Sequence, residues 1–303
     1  MARKAAKVGI ILMAYNQGPF IERAIESLKK QTFQDFDIHL VDDGSNDECT
    51  PEILERIQYD KIVKKFLHKD NKGTAPRQRE QYKILQNEYI LILCADDVLA
   101  PMFLEKTVGF LEKHKDYGVV STNIKLFEND TSKPFGENHY DAKLMKLPYI
   151  LSRNRVLGSS LMRKKALAEA DLSGGFVRYQ DWDRWISILE AGWKIGLVPE
   201  PLFYYRQVPT SLSHTASVED ELDIRKKLLK KHASSYKKYY KDIIFDMERA
   251  FLEIAEGKEW LDQQYRNMQK EIKRLNNEVQ LYKNESAWQQ LKRNFKNRHQ
   301  EKK

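Results

Sequence analysis

Residues 88–102 read EYILILCADDVLAPM, an apolar run that breaks off at Asp96-Asp97 and is closed by Pro101. From Tyr89 to Leu93 no polar residue interrupts. The run is short for a helix and rich in β-formers, so it predicts a strand buried on both faces, as in the middle of a parallel sheet. Open α/β sheets bind ligands beyond the carboxyl ends of their strands, where this strand delivers two adjacent carboxylates. Two such anions repel and are best tolerated beside a cation or a set of hydrogen-bond donors. Oxygen ligands suit magnesium or manganese better than zinc. The alternative is a helix start, with Asp at the N-cap and in the first turn ahead of a Pro-led segment.

Working toward the N-terminus, the same strand-then-polar pattern recurs. Val8 to Met13 is an apolar strand followed by AYNQG, and Pro19 opens a helix with Phe20, Ile21, Ala24, Ile25 and Leu28 on one face. A second strand, Asp37 to Val41, runs into DDGSND, so Asp42 and Asp43 also arrive at a strand end and Gly44 lets the chain turn. An Asx-turn and cap before Pro51 is the competing account of that pair. A third strand near Ile62 to Leu67 and a helix from about Ala75 to Gln86 complete a βαβαβ alternation, which predicts a right-handed doubly wound sheet.

On the C-terminal side, Leu126 to Leu147 is a polar, irregular insert suited to shaping a site. In QDWDRWISILEAG, Trp182, Trp185, Ile186 and Leu189 have helical spacing and Gly192 supplies the stop. The tryptophans read as core. Asp181 falls in the first turn, off the stripe, where a cap is one reading. After Tyr205 the composition shifts to Lys, Glu, Gln and Asn. Ile244, Met247, Phe251, Ile254, Leu261, Tyr265, Met268, Ile272, Leu275, Val279 and Tyr282 recur in steps of three and four, with Lys258 as the break, and predict a coiled coil. A long helix folded back on the first domain is the alternative.

With 303 residues, 41% of them hydrophobic, the chain can bury a sizeable core. No run reaches bilayer length and the first residues turn strand-like too soon for a signal peptide, so a cytoplasmic protein is expected. Cys49 and Cys94 match no disulfide scaffold or metal spacing, in keeping with a reducing compartment. The net charge of +8 is heaviest in the tail. It is not interleaved with aromatics as a nucleic-acid surface would be, so no nucleic-acid partner is expected, whereas peripheral contact with a membrane is compatible with it.

Taken together, AYN after the first strand, QTFQDFDIHLVDDGSND (31–47), NKGTAPRQR (71–79), LCADDVLAP (93–101) and GGFVRYQDWDRWISILEAGWKI (174–195) resemble the family-2 glycosyltransferases. The resemblance covers roughly Val8 to Ser213. It implies an α/β, GT-A type fold: a doubly wound, mixed but mostly parallel sheet with flanking helices, over residues 1–215. A nucleotide-sugar half (about 1–100) and an acceptor half (about 101–215) precede a helical, coiled-coil region at 216–303. No GxGxxG or GxxxxGK[ST] supports a dehydrogenase or P-loop reading.

By this resemblance Ala14, Tyr15, Asn16, Asp42, Asp43, Arg77 and Asp96 would meet a nucleotide-diphosphate sugar of UDP, GDP or dTDP type, with Arg77 near the diphosphate. Asp97 and His214 would hold Mn2+ or Mg2+. Cys94 stands where the family often has another Asp. Asp181 would be the base that deprotonates the hydroxyl of a saccharide, lipid-linked or protein acceptor. A single base implies inversion, since no second carboxylate is nominated as nucleophile. Gln180 and Arg184-Trp185 miss the QxxRW spacing of processive synthases by one residue, so single-sugar transfer, in surface polysaccharide or glycoconjugate synthesis, is expected. The competing classes are an inactive nucleotide- or glycan-binding relative and a coiled-coil assembly protein. The tail implies a homo-oligomer.

Overall fold

The computed structural model describes residues 4–300 apart from 177 and 208–216, and in the last helix leaves out the side chains at 261, 264, 271, 272, 274–288 and 290–300. The order is β1 (Val8–Ala14), α1 (Gly18–Lys29), β2 (Phe36–Asp42), α2 (Thr50–Arg56), β3 (Ile62–Leu67), α3 (Thr74–Ile84), β4 (Tyr89–Cys94), β5 (Val98–Leu99), α4 (Phe103–Lys113) and β6 (Tyr117–Phe127). It continues with β7 (Gly136–Asn138), α5 (Leu147–Ser152), β8 (Leu161–Arg163), α6 (Lys164–Glu169), α7 (Gln180–Glu190), β9 (Lys194–Arg206), α8 (Val218–Lys231) and α9 (Ala233–Gln300).

β1, β2, β3 and β4 pair in parallel in the order β3-β2-β1-β4. Every residue of β1 and β2 is buried, because helices cover both faces of a parallel sheet. β8 then runs antiparallel between β4 and β6, and β9 pairs parallel with β6, giving a mixed, mostly parallel sheet. α1 carries Pro19 in its first turn and turns Ile21, Ala24, Ile25 and Leu28 onto the core. The insert expected to be irregular is partly ordered: β6 extends through Phe127 and β7 folds back on it.

The chain forms two compact units, residues 1–244 and 245–303. α8 belongs to the first. Ser217 and Asp220 cap it reciprocally, and Ile224 and Leu228 join the core cluster built by Trp182, Trp185 and Ile186 of α7. In the second unit, α9 carries Met247, Phe251, Ile254, Tyr265 and Met268 exposed. No described helix is long and apolar enough to cross a membrane.

A charged knot ties α7 to the α8–α9 junction. Buried His232 lies between two carboxylates, with Nε2 2.9 Å from Asp183 and Nδ1 2.7 Å from Glu190, and Lys231 Nζ donates to both Asp183 oxygens at 2.8 and 2.9 Å. Burial works to lower the imidazole pKa, but the hydrogen bonds to Asp183 and Glu190 outweigh it and the net shift is upward. A raised folded-state pKa stabilises fully below the unfolded value of about 6.5, and the contribution is lost as pH climbs through the folded value. The thermal midpoint is therefore expected to fall as pH rises above about 6.5, and His232→Gln to flatten that slope. Scanning calorimetry across the pH series on both proteins measures it; equal slopes would remove His232 from the account.

Candidate functional site

The carboxyl ends of β1, β2 and β4 lie side by side, with Ala14 opposite Asp42 and Met13 opposite Cys94. The polar residues that follow each strand therefore meet at one edge. Ala14 contributes main chain: its side chain is buried and its carbonyl accepts from Asp43 N at 3.0 Å. Tyr15 follows, 40% exposed at the rim. Asn16 takes φ 53° and spends its side chain on the neighbouring loop, donating to Asn46 Oδ1 and accepting from the amides of Asn46 and Asp47. Asp42 likewise closes a turn, accepting from Ser45 N and Oγ. The turn requires Gly44, at φ 77°, because a Cβ there would come within 2.5 Å of the Asp70 main chain.

Asp43 is held by main chain and side chain together. It is buried, and Oδ1 accepts from Arg77 Nε at 2.8 Å and Lys72 N at 3.0 Å. Both of these bonds fall on one oxygen. Arg77, expected beside a diphosphate, is instead spent locally: Nη2 donates to the Asp70 carbonyl at 2.7 Å and to Asp70 Oδ1 at 3.0 Å, and Nη1 reaches Glu80 at 3.5 Å. A buried guanidinium needs these acceptors, and sequence spacing did not reveal them.

At the end of β4, ligand atoms of Cys94, Asp96 and Asp97 lie within 4.8 Å of one another. Burial, then the charge of Asp96, pushes the Asp97 carboxyl well above the usual carboxylate range, and burial raises Asp96 as well. Among the described residues neither carboxylate has an ion pair. Asp97 Oδ1 accepts from Arg206 N at 3.0 Å, while the Arg206 side chain turns to carbonyls, donating from Nε to Asp96 O at 3.2 Å and from Nη1 to Glu128 O. Burial and then the Asp97, Asp96 and Asp181 charges push the Cys94 thiol up. The two crowded carboxylates are hard oxygen donors of the kind that suits Mg2+ or Mn2+. His214 lies outside the described residues.

Arg206 was not expected from sequence. It is buried at the end of β9, its guanidinium 4.0 Å from the Phe20 ring centre and 4.8 Å from that of Phe127, and among the described residues its Nη2 has no hydrogen-bond partner. The only sequence signal was a lone Arg closing an aromatic strand, FYYR.

Asp181 enters the same neighbourhood from the other side. Tyr179, at φ 54°, precedes α7, and no side chain caps that helix. The Asp181 carboxylate accepts from Asn154 Nδ2 at 2.9 Å instead. Its charge reaches Tyr140, whose hydroxyl is pushed up to about 12 by burial, then by Asp181 and Tyr205. Asn123 Oδ1 fixes the Tyr140 backbone by accepting its N–H at 2.8 Å. Gln180 Nε2 donates to Thr74 Oγ1 and Arg184 Nη1 to Gln78 Oε1 and Tyr82 OH, locking α7 against α3.

The sequence model of the family described as Glycosyl transferase family 2 matches residues 9–171. An uncharacterized glycosyltransferase of Methanocaldococcus jannaschii is 25% identical over 242 residues, covering 78% of this chain and 83% of that protein. Among solved structures, S. aureus TarS 1-349 in complex with UDP is similar with a TM-score of 0.56 at 18% identity, covering 73% of this chain and 64% of that chain. The mannosyltransferase PcManGT of Pyrobaculum calidifontis, in complex with GDP-Man and Mn2+, gives 0.56 at 16% identity over 80% of this chain and 70% of its own. At these identities the two structures speak to the fold, a GT-A one.

Proposed function

The chain belongs to glycosyl transferase family 2, and from that premise we propose that it moves a single sugar, with inversion, from a nucleotide-diphosphate sugar to an acceptor hydroxyl in surface polysaccharide or glycoconjugate synthesis. The observation that supports this most is the cluster at the end of β4, where ligand atoms of Cys94, Asp96 and Asp97 lie within 4.8 Å of one another. Asp43 accepts hydrogen bonds from the base or ribose through the oxygen that Arg77 leaves unused. Tyr15 stacks beside the base. Asp97, with Asp96 beside it, would hold a divalent cation, which would supply positive charge on the diphosphate side. Arg206 adds a guanidinium donor on that side through Nη2. Asp181, oriented by Asn154, takes the acceptor proton as the anomeric carbon develops positive charge. TarS binds UDP and PcManGT binds GDP-Man with Mn2+, in line with a nucleotide-sugar donor here.

Calorimetric titration with UDP, GDP and dTDP tests the donor side. At least one is expected to bind at least tenfold more tightly with Mn2+ than with EDTA, and Asp97→Ala to abolish that difference. Equal affinities in both conditions for all three would sink the metal assignment. In the second unit, the exposed stripe of α9 is proposed to pair with that of a second copy. Light scattering on the full chain is expected to give a dimer or trimer and on a chain ending at Ile244 a monomer. A monomeric full chain would overturn the pairing.

A further inference from the structure

Beside Asp181 lies a cleft of about 190 Å³. Its walls include Arg153 and Asn154 after α5, Tyr179 and Trp182 at the start of α7, and Glu221 and Arg225 from α8. Asn154 joins the cleft to the reaction centre, because the same side chain donates to Asp181 Oδ2 at 2.9 Å. The cleft therefore opens one side chain away from the proposed base.

The charges on its walls are unequal. Glu221 accepts from the Tyr179 hydroxyl at 3.1 Å. Arg225 lies over the Trp182 ring, 5.1 Å from its centre, and donates from Nη1 to the Ser152 carbonyl at 3.1 Å. Among the described residues neither Arg225 nor the exposed Arg153 has a salt bridge to a carboxylate within 4 Å. The stack and the main-chain bond fix Arg225 while leaving other guanidinium donors over. Tyr179 is held at φ 54°, a strained backbone state for a non-glycine residue that clusters at ligand-binding sites. Guanidinium forks match phosphate and carboxylate oxygens, and an aromatic wall gives a ring an apolar surface to lie against.

We propose that this cleft is the acceptor subsite and that it selects an anionic saccharide, holding a phosphate or carboxylate on Arg153 and Arg225 while a hydroxyl turns to Asp181. The proposal rests on reading Asp181 as the base. The family match ends at residue 171, and Tyr179, Trp182, Glu221 and Arg225 lie beyond it, so the selectivity is built largely from sequence outside the matched segment.

Ligand-observed NMR titration of the full chain with glucose 6-phosphate, glucuronate and glucose, with and without UDP and Mn2+, tests it. At least one charged sugar is expected to bind tenfold or more tightly than glucose, and the two arms separate phosphate from carboxylate. Arg153→Gln with Arg225→Gln should erase the preference, and Arg225→Lys should retain part of it. Glucose binding as well as both charged sugars would overturn the proposal, as would a preference that survives in the folded double variant. If the double variant does not fold, Arg153→Gln alone, at an exposed position, must lower the preference, and no change overturns it. Nucleotide titrations on the same wild-type sample keep the readings apart. Nucleotide binding without charged-sugar preference overturns the subsite alone, and the preference without nucleotide binding overturns the donor reading alone.

Discussion

Asp181→Asn is expected to cut sugar transfer by about a hundred- to ten-thousand-fold, the usual loss when general-base assistance is removed, while leaving donor affinity close to wild type. Asn preserves volume. In the structure Asp181 sits in the first turn of α7, yet no side chain caps that helix, so the carboxylate is not tied up by helix amides. Among the described residues it accepts from Asn154, a neutral donor that orients a carboxylate without neutralising it. A cap would tolerate the substitution at a cost of a few tenths of a kcal/mol to about 1 kcal/mol in stability and none in rate. Transfer assays beside a nucleotide titration and a melting curve separate these outcomes, and turnover within threefold of wild type would assign the base elsewhere.

The second large effect is on stability. Arg77→Met is expected to destabilise the protein by roughly 3 kcal/mol, because removing one partner of a buried ion pair leaves the other uncompensated. Asp43 is 2% exposed and would lose its Arg77 bond. The expectation lies at the low end of the range for buried pairs because Asp70 and Glu80, on the other side of the guanidinium, face solvent. Asp43→Asn combined with Arg77→Met should recover part of the loss, since the orphaned charge is then gone. Urea unfolding of the single and the double variant beside the wild type measures both numbers. A single-variant loss below about 1 kcal/mol would mean that the pair is solvated and that Asp43 is not held by it.

Much of the site was legible because strands buried on both faces announce themselves as uninterrupted apolar runs, and the acids that follow them must fall at the sheet edge. EYILILCADD and IHLVDDG gave the positions of Asp43, Asp96 and Asp97 in this way. That these strands form a doubly wound sheet followed from the βαβαβ alternation. Asp181 was legible as a polar residue off an apolar stripe. Buried Asp183, Arg184 and Ser187 of the same helix were not, since a stripe model leaves no place for polar residues on an inner face.

What sequence alone determined is the first βαβαβ elements, helix α7 and the acids at the strand ends, because hydrophobic periodicity and turn chemistry are local and act within a few residues. Tertiary structure alone decided which of those polar groups are spent and which remain for a ligand. Asn16 and Asp42 satisfy the loop, Arg77 serves Asp43 and Asp70, and Arg206 keeps a donor over. Asn154 reaches Asp181 across 27 residues, and Arg225 reaches Ser152 across 73. A buried hydrogen-bonding group must find a partner wherever the fold brings one, and that partner is fixed by packing between distant segments, which no local pattern encodes.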